Sequence, residues 1–111
     1  MFNREIPVGC IPDSVKYLTF GDGFNRDISN NRIIPNSVLN LTFGHKFNKS
    51  INNAIPNSVT HLTFGHDFDQ KIPVVCGIPR SVTHLTFSFN INHRIDAEGT
   101  IPNSVTHLIF G

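Results

Sequence analysis

The chain has 111 residues, of which 39% are hydrophobic and 15% are charged, and its formal charge at pH 7 is +1. A nearly neutral chain creates no strong field for nucleic acid or for a membrane surface, so we expect neither of these partners. No apolar run approaches the roughly 20 residues that are needed to span a bilayer.

The first predicted element is a partial coil over residues 1–10, which lacks the apolar stretch of a secretory signal peptide. The two cysteines, Cys10 and Cys76, lie about three repeats apart along the chain. Stacked strands are spaced roughly 4.8 Å apart, which places these residues beyond the roughly 7 Å Cα separation of a disulfide. We therefore expect two reduced thiols and an intracellular, cytoplasmic protein.

The rest of the chain is a tandem array of one block, Ile-Pro-x-Ser-Val-x-x-Leu-x-Phe. Successive copies start 23, 21, 23 and 23 residues later, and a period of roughly 20–29 residues is typical of a solenoid with coils of leucine-rich-repeat size. We predict one solenoid domain over residues 1–111, mostly strand and loop with little helix, whose last coil is incomplete. The blocks begin at Ile11, Ile34, Ile55, Ile78 and Ile101.

Each block contains one predicted strand, such as Thr-His-Leu-Thr-Phe at residues 60–64. The alternation and the Thr and Phe content favour a short strand. Stacking similar coils pairs these strands in parallel and in register, and neighbouring coils bury each other's apolar side. The predicted inward columns are Val15, Val38, Val59, Val82 and Val105; Leu18, Leu41, Leu62, Leu85 and Leu108; Phe20, Phe43, Phe64, Phe87 and Phe110; and Phe24, Phe47 and Phe68, ending at Ile91.

Turn residues recur at fixed places in the coil. The proline of each block is predicted at a corner before the strand because it cannot donate to a ladder. The serine two residues later is expected to bond a free backbone group of that turn. Gly21, Gly44 and Gly65 close the strands, and we expect them to have positive φ. The predicted inter-coil amide ladder consists of Asn25, Asn48 and Asn92, with Asp69 as an interruption because a carboxylate cannot donate.

Two dipeptides, Phe-Asn and Ile-Pro, connect the chain to a known family. They stand in Phe-Asn-Arg-Glu-Ile-Pro at residues 2–7 and, with Asp for Asn, at residues 68–73. Residues 55–65, Ile-Pro-Asn-Ser-Val-Thr-His-Leu-Thr-Phe-Gly, look like a near-consensus copy of the FNIP repeat, which is found mainly in social amoebae and in giant viruses that infect amoebae. The resemblance extends over essentially the whole chain. It implies a leucine-rich-repeat-like fold, a role in protein interaction and, for a viral protein, the host cytoplasm; it supplies no catalytic residues.

The residues that flank the inward leucines are predicted to face solvent. Repeat proteins commonly bind across their concave sheet, so this face is the candidate contact surface. Ile109 interrupts the column of threonines at one end. The candidate binding residues are Tyr17, Thr19, Asn40, Thr42, His61, Thr63, His84, Thr86 and His107.

Three histidines of this face, His61, His84 and His107, are predicted to form a flat, solvated ladder. Zinc needs a convergent tetrahedral set of ligands, and no acidic column lies beside the histidines. Asp67 and Asp69 share a turn and make at best a weak metal pair. We therefore expect no metal and no other cofactor. Charging neighbouring imidazoles together should loosen the coils or a partner at mildly acid pH.

These features favour a non-catalytic module for protein–protein interaction. A structural or vestigial repeat fragment without a dedicated partner is the first alternative. Both end coils are expected to expose apolar side chains and strand edges, which also predicts self-association through the ends. A carbohydrate-active β-solenoid enzyme is less favoured, because glycoside hydrolysis needs facing carboxylates and no repeated acidic pair occurs on the predicted strand face.

Overall fold

The computed structural model describes residues 6–29, 32–88 and 99–111. Within these ranges the chain forms five short strands and no helix: β1 (Tyr17–Thr19), β2 (Asn40–Thr42), β3 (His61–Phe64), β4 (His84–Phe87) and β5 (His107–Phe110). Three features of the sequence lie outside the described residues: the Phe-Asn pair at residues 2–3, Ile91 of the second aromatic column, and Asn92 of the amide ladder. No helix in the described ranges is long and apolar enough to cross a membrane.

The five strands form one parallel sheet in the order β1-β2-β3-β4-β5. Equivalent residues pair in register, so that Leu18 faces Leu41, which faces Leu62, and the column continues through Leu85 to Leu108. The prediction of a leucine-rich-repeat-like solenoid with one strand per coil is confirmed. Strictly repeated spacing explains the register, since a slip by one residue would turn every inward side chain outward.

The core is a stripe of stacked side chains between coils. Phe43, Phe64 and Phe87 are buried, and successive rings stack with centroids 5.5 Å and 5.4 Å apart. The second aromatic column packs against the first, with Phe47 only 4.2 Å from Phe43. Burial weakens at the ends of the stack: Leu18 of β1 is only partly buried, and all four residues of β5 are exposed. Neighbouring coils therefore provide most of the burial that stabilises each coil.

Every proline corner closes in the same way. The valine N–H donates to the proline carbonyl three residues earlier, as in Val38 to Pro35 at 3.2 Å. The expected bond from the serine hydroxyl within its own turn is not made. Ser37 instead donates to the carbonyl of Val15 in the preceding coil at 2.6 Å. The same inter-coil bond is made by Ser58, Ser81 and Ser104.

The glycines that follow the strands do not have positive φ, so that prediction is wrong. Gly44 is needed for a different reason: a methyl group on it would lie 2.5 Å from the carbonyl oxygen of Gly21. A methyl group on Gly65 would lie even closer to the carbonyl oxygen of Gly44. Absence of a side chain lets the turns after successive strands stack directly.

The asparagine ladder exists in a different chemical form from the predicted one. Asn48 N–H donates to the side-chain oxygen of Asn25 at 2.8 Å, and Asp69 N–H donates to the side-chain oxygen of Asn48 at 2.9 Å. The donors are backbone groups rather than side-chain amides. Asp69 therefore joins the ladder through its N–H, which the identity of its side chain does not affect.

Candidate protein-interaction face

All nine predicted face residues lie on the five strands, at the positions that flank the inward leucines. The parallel register aligns them in two columns across the sheet. Tyr17 stands at one end of the first column and is 72% exposed, while Ile109 stands at the opposite end of the second and is 56% exposed. Thr42, Thr63 and Thr86 between them are half-buried. The structure thus places these residues together on one accessible surface, and their role in binding stays a prediction.

The three histidines of the first column are stacked face to face. Ring centroids of His61 and His84 are 4.1 Å apart with an interplanar angle of 11°, and those of His84 and His107 are 4.1 Å apart at 8°. The parallel rings follow from the spacing of strands in a sheet, which is roughly 4.8 Å. Their nitrogens form a row rather than a convergent shell, so this ladder does not have the geometry of a tetrahedral zinc site.

A threonine before each histidine holds the ring in place. The Oγ1 atom of Thr83 lies 2.8 Å from Nδ1 of His84 and 3.3 Å from the carbonyl oxygen of Thr60 in the preceding coil. The pairs Thr60–His61 and Thr106–His107 repeat this contact at 2.9 Å. Because Nδ1 is engaged by the threonine, Nε2 is the ring nitrogen left for a group outside the chain.

His84 has the most enclosed position of the three. Burial between its neighbours lowers the pKa of this imidazole from its ordinary value, and the nearby charges of His107 and His61 lower it further. The shift therefore favours the neutral form of the central ring.

A second histidine cluster lies at the turns after β2 and β3, and the sequence interpretation missed it. Nδ1 of His66 is 2.9 Å from Oδ1 of Asp67, and Nε2 of His45 is 3.6 Å from the same oxygen. The sequence interpretation paired Asp67 with Asp69, whose N–H is instead directed to Asn48. The available signal was the position of both histidines directly after the strand-closing glycines Gly44 and Gly65.

Comparison with known proteins agrees with this architecture. The family model described as "FNIP Repeat" matches residues 2–46, 30–67, 47–87 and 68–111. A search of curated proteins gives no match. Among solved structures the chain is similar to the giant-virus protein CroV588, described as a novel circular leucine-rich-repeat protein, with a TM-score of 0.68 and 38% identity. The match covers 99% of this chain and 19% of CroV588, so the chain spans about a fifth of that protein. The overlapping repeat matches extend over almost every residue, and the chain belongs to the FNIP repeat family.

Proposed function

We propose that the outward face of the five-stranded sheet binds a protein partner and that the module is non-catalytic. The main observation in support of this proposal is the first column of the face. In it an exposed tyrosine, Tyr17, is aligned with three stacked imidazoles on a hydrogen-bonded sheet. Aromatic side chains with a polar end are enriched at protein interfaces, because they contribute contact area at little entropic cost. Membership of the FNIP family and the leucine-rich-repeat-like fold, both typical of interaction modules, support this function.

The chemistry of the face argues for recognition rather than catalysis. None of the residues on the five strands of the described chain is a carboxylate, whereas glycoside hydrolysis uses a pair of them. The repeated serines are engaged with carbonyl groups of the preceding coil, as in Ser58 to Val38. Both cysteines, Cys10 and Cys76, are free and exposed, which supports a reducing compartment such as the cytoplasm as the place where the module works.

A pair of matched variants tests the face. Tyr17→Ala combined with His61→Ala and His84→Ala should abolish capture of the partner from the native cell, because these changes remove the aromatic anchors. The control is Val74→Ser with Val75→Ser, which alters two exposed apolar residues away from the strands. The control should retain the partner. Equal capture by the native chain and the face variant would contradict the proposal and favour a structural repeat without a dedicated partner.

We also propose, as a second function, that coils from two copies of the chain stack end to end. Leu108 and Phe110 of β5 are 41% and 46% exposed, whereas Leu85 and Phe87 in the same columns of β4 are buried. A sixth strand in the same register would cover Leu108 and Phe110 as β5 covers Leu85 and Phe87 of β4.

Sedimentation of the 111-residue chain tests this stacking. The mean mass should rise with concentration, because an end of one copy meets the opposite end of the next in an open, head-to-tail contact. Leu108→Lys should keep the chain monomeric by placing a charge at the edge, whereas Ile109→Thr, on the outward side of the same strand, should associate like the native chain. A clean monomer of the native chain at high concentration would contradict end-to-end stacking.

A further inference from the structure

The turns after β2 and β3 bring two histidines and an aspartate from adjacent coils to one corner of the solenoid. His45 follows Gly44, and His66 and Asp67 follow Gly65 one coil later. Each side chain offers one nitrogen or oxygen atom that could bind a metal, and these three atoms all lie within 4.8 Å of one another. The cluster lies outside the strand face and is independent of the function proposed for that face.

Backbone hydrogen bonds between coils hold this corner in place. Asp67 N–H donates to the carbonyl oxygen of His45 at 2.9 Å. His45 N–H in turn donates to Oδ1 of Asp22 at 3.2 Å, and Lys46 N–H donates to the carbonyl oxygen of Asp22 at 3.0 Å. Three successive turns are thereby tied together, so the backbone positions that carry the ligating groups are fixed before any ligand arrives.

We propose that His45, His66 and Asp67 form a binding site for a divalent transition-metal ion such as Zn²⁺. The ligating atoms are Nε2 of His45, Nδ1 of His66 and Oδ1 of Asp67, and a water molecule completes the shell. Two ligand atoms on a tetrahedral zinc lie roughly 3.3 Å apart, given metal–ligand bonds of roughly 2.0–2.1 Å. The observed separations of 2.9 Å and 3.6 Å from Asp67 to the two imidazoles are close to this value.

The ligand set selects the class of metal. Imidazole nitrogens favour zinc, copper and nickel, whereas magnesium and calcium prefer shells made of oxygen. Asp67 supplies the carboxylate oxygen of the set, and this oxygen lies 2.9 Å from Nδ1 of His66. A carboxylate and two imidazoles together match the mixed nitrogen and oxygen shell that zinc accepts.

Metal binding requires a local rearrangement of the rings. His45 and His66 are stacked with centroids 4.8 Å apart and an interplanar angle of 1°, so a single ion does not lie in both ring planes at once. The side chains of His45 and His66 are 53% and 49% exposed. One imidazole can therefore rotate toward the ion without displacing buried side chains. Bonds from the ion to His66 and Asp67 then replace the hydrogen bond between these two residues.

Calorimetric titration of the full, tag-free chain with Zn²⁺ tests the site, with Co²⁺ absorption as a second readout of tetrahedral coordination. The native chain should bind one equivalent. His66→Asn and Asp67→Asn should each weaken zinc binding by at least roughly tenfold. Removing a residue that only hydrogen-bonds to a metal ligand already costs roughly tenfold or more in affinity, and these two residues are proposed as ligands themselves. Asp69→Asn is the matched control, since it removes the same charge from the same turn and should leave the affinity unchanged.

Three outcomes would overturn the proposal. The first is no binding of either ion by the native chain. The second is an equal loss of affinity in Asp67→Asn and Asp69→Asn, which would indicate general electrostatic attraction. The third is loss of binding in a His61→Asn/His84→Asn variant with retention in His66→Asn, which would move the ion to the strand face. Circular dichroism of each variant separates loss of the site from loss of the fold.

Discussion

A methyl group added to Gly65 would meet the carbonyl oxygen of Gly44, whereas one added to Gly21 would have no atom within 4 Å. These residues occupy the same position in successive coils, and φ is not positive at any of them. The difference arises from the neighbours: Gly65 stacks on the turn of the preceding coil, and Gly21 lies at the start of this column of glycines. The structural demand for glycine is therefore set by stacking rather than by the turn itself.

This difference predicts opposite outcomes for one substitution at two equivalent positions. Gly65→Ala should lower the free energy of unfolding by about 1–3 kcal/mol, since two backbones must separate to admit the methyl group. Gly21→Ala should change it little, because the added atom enters open space. Urea denaturation of both variants beside the native chain measures the effect. Equal destabilisation by the two changes would show that the local turn, rather than inter-coil stacking, requires glycine.

Left-handed backbone occurs at another position, two residues before the Ile-Pro pair that opens each of the five blocks. In the described chain it is adopted by Gly9, Arg32, Asn53, Cys76 and Gly99. These residues share no side-chain property, so the column could not be predicted from the sequence. At Asn53 an inter-coil hydrogen bond accompanies this conformation: its N–H donates to the carbonyl oxygen of Cys76 in the next coil at 2.8 Å. An inter-coil bond of this kind offsets part of the cost of about 1–2 kcal/mol that a side chain incurs in this conformation.

At the scale of elements, the strands convert a repeated sequence into ladders of identical side chains. The histidine ladder on β3, β4 and β5 has a consequence for pH dependence, because desolvation and the neighbouring rings lower the pKa of His84 below 6.5. An unfolded chain then takes up its proton at a higher pH than the folded chain does. Stability is therefore complete above about pH 6.5 and declines as the pH falls below that value.

We accordingly expect a lower urea midpoint at about pH 5.5 than at about pH 7.5 for the native chain. His84→Asn should show a smaller difference between the two pH values, because the variant removes the central imidazole. Asp27 and Asp67, whose pKa values are lowered from 3.8, affect stability only below about pH 3.8 and do not contribute in this window. An identical pH dependence in the native chain and the variant would contradict a role for the ladder.

The strands also show how far the sequence predicts the candidate sites. The outward columns could be predicted in full because strand residues alternate between two sides, so that His61 and Thr63 share a side opposite to Leu62. The corner formed by His45, His66 and Asp67 could not be predicted in this way. Its members come from two different positions of the repeat, and the contact depends on how adjacent turns are offset, which periodicity does not specify.

At the scale of the whole molecule, stability is distributed along the stack because each coil packs against its neighbours. Phe64 in the middle is fully buried between Phe43 and Phe87, whereas Phe110 on β5 stacks on Phe87 and remains 46% exposed. Removing a central ring weakens two interfaces at once. Removing the ring on β5 weakens one, and that interface is already partly open to water.

Phe64→Ala should therefore lower the free energy of unfolding by about 3–5 kcal/mol, the range for truncating a buried phenylalanine. Phe110→Ala should cost about half of that or less, because burial energy scales with the apolar area removed from water. Urea unfolding at low protein concentration measures both variants without a contribution from association between chains. If the two substitutions cost the same, Phe110 must be as well buried in solution as Phe64, which would require another coil to cover β5.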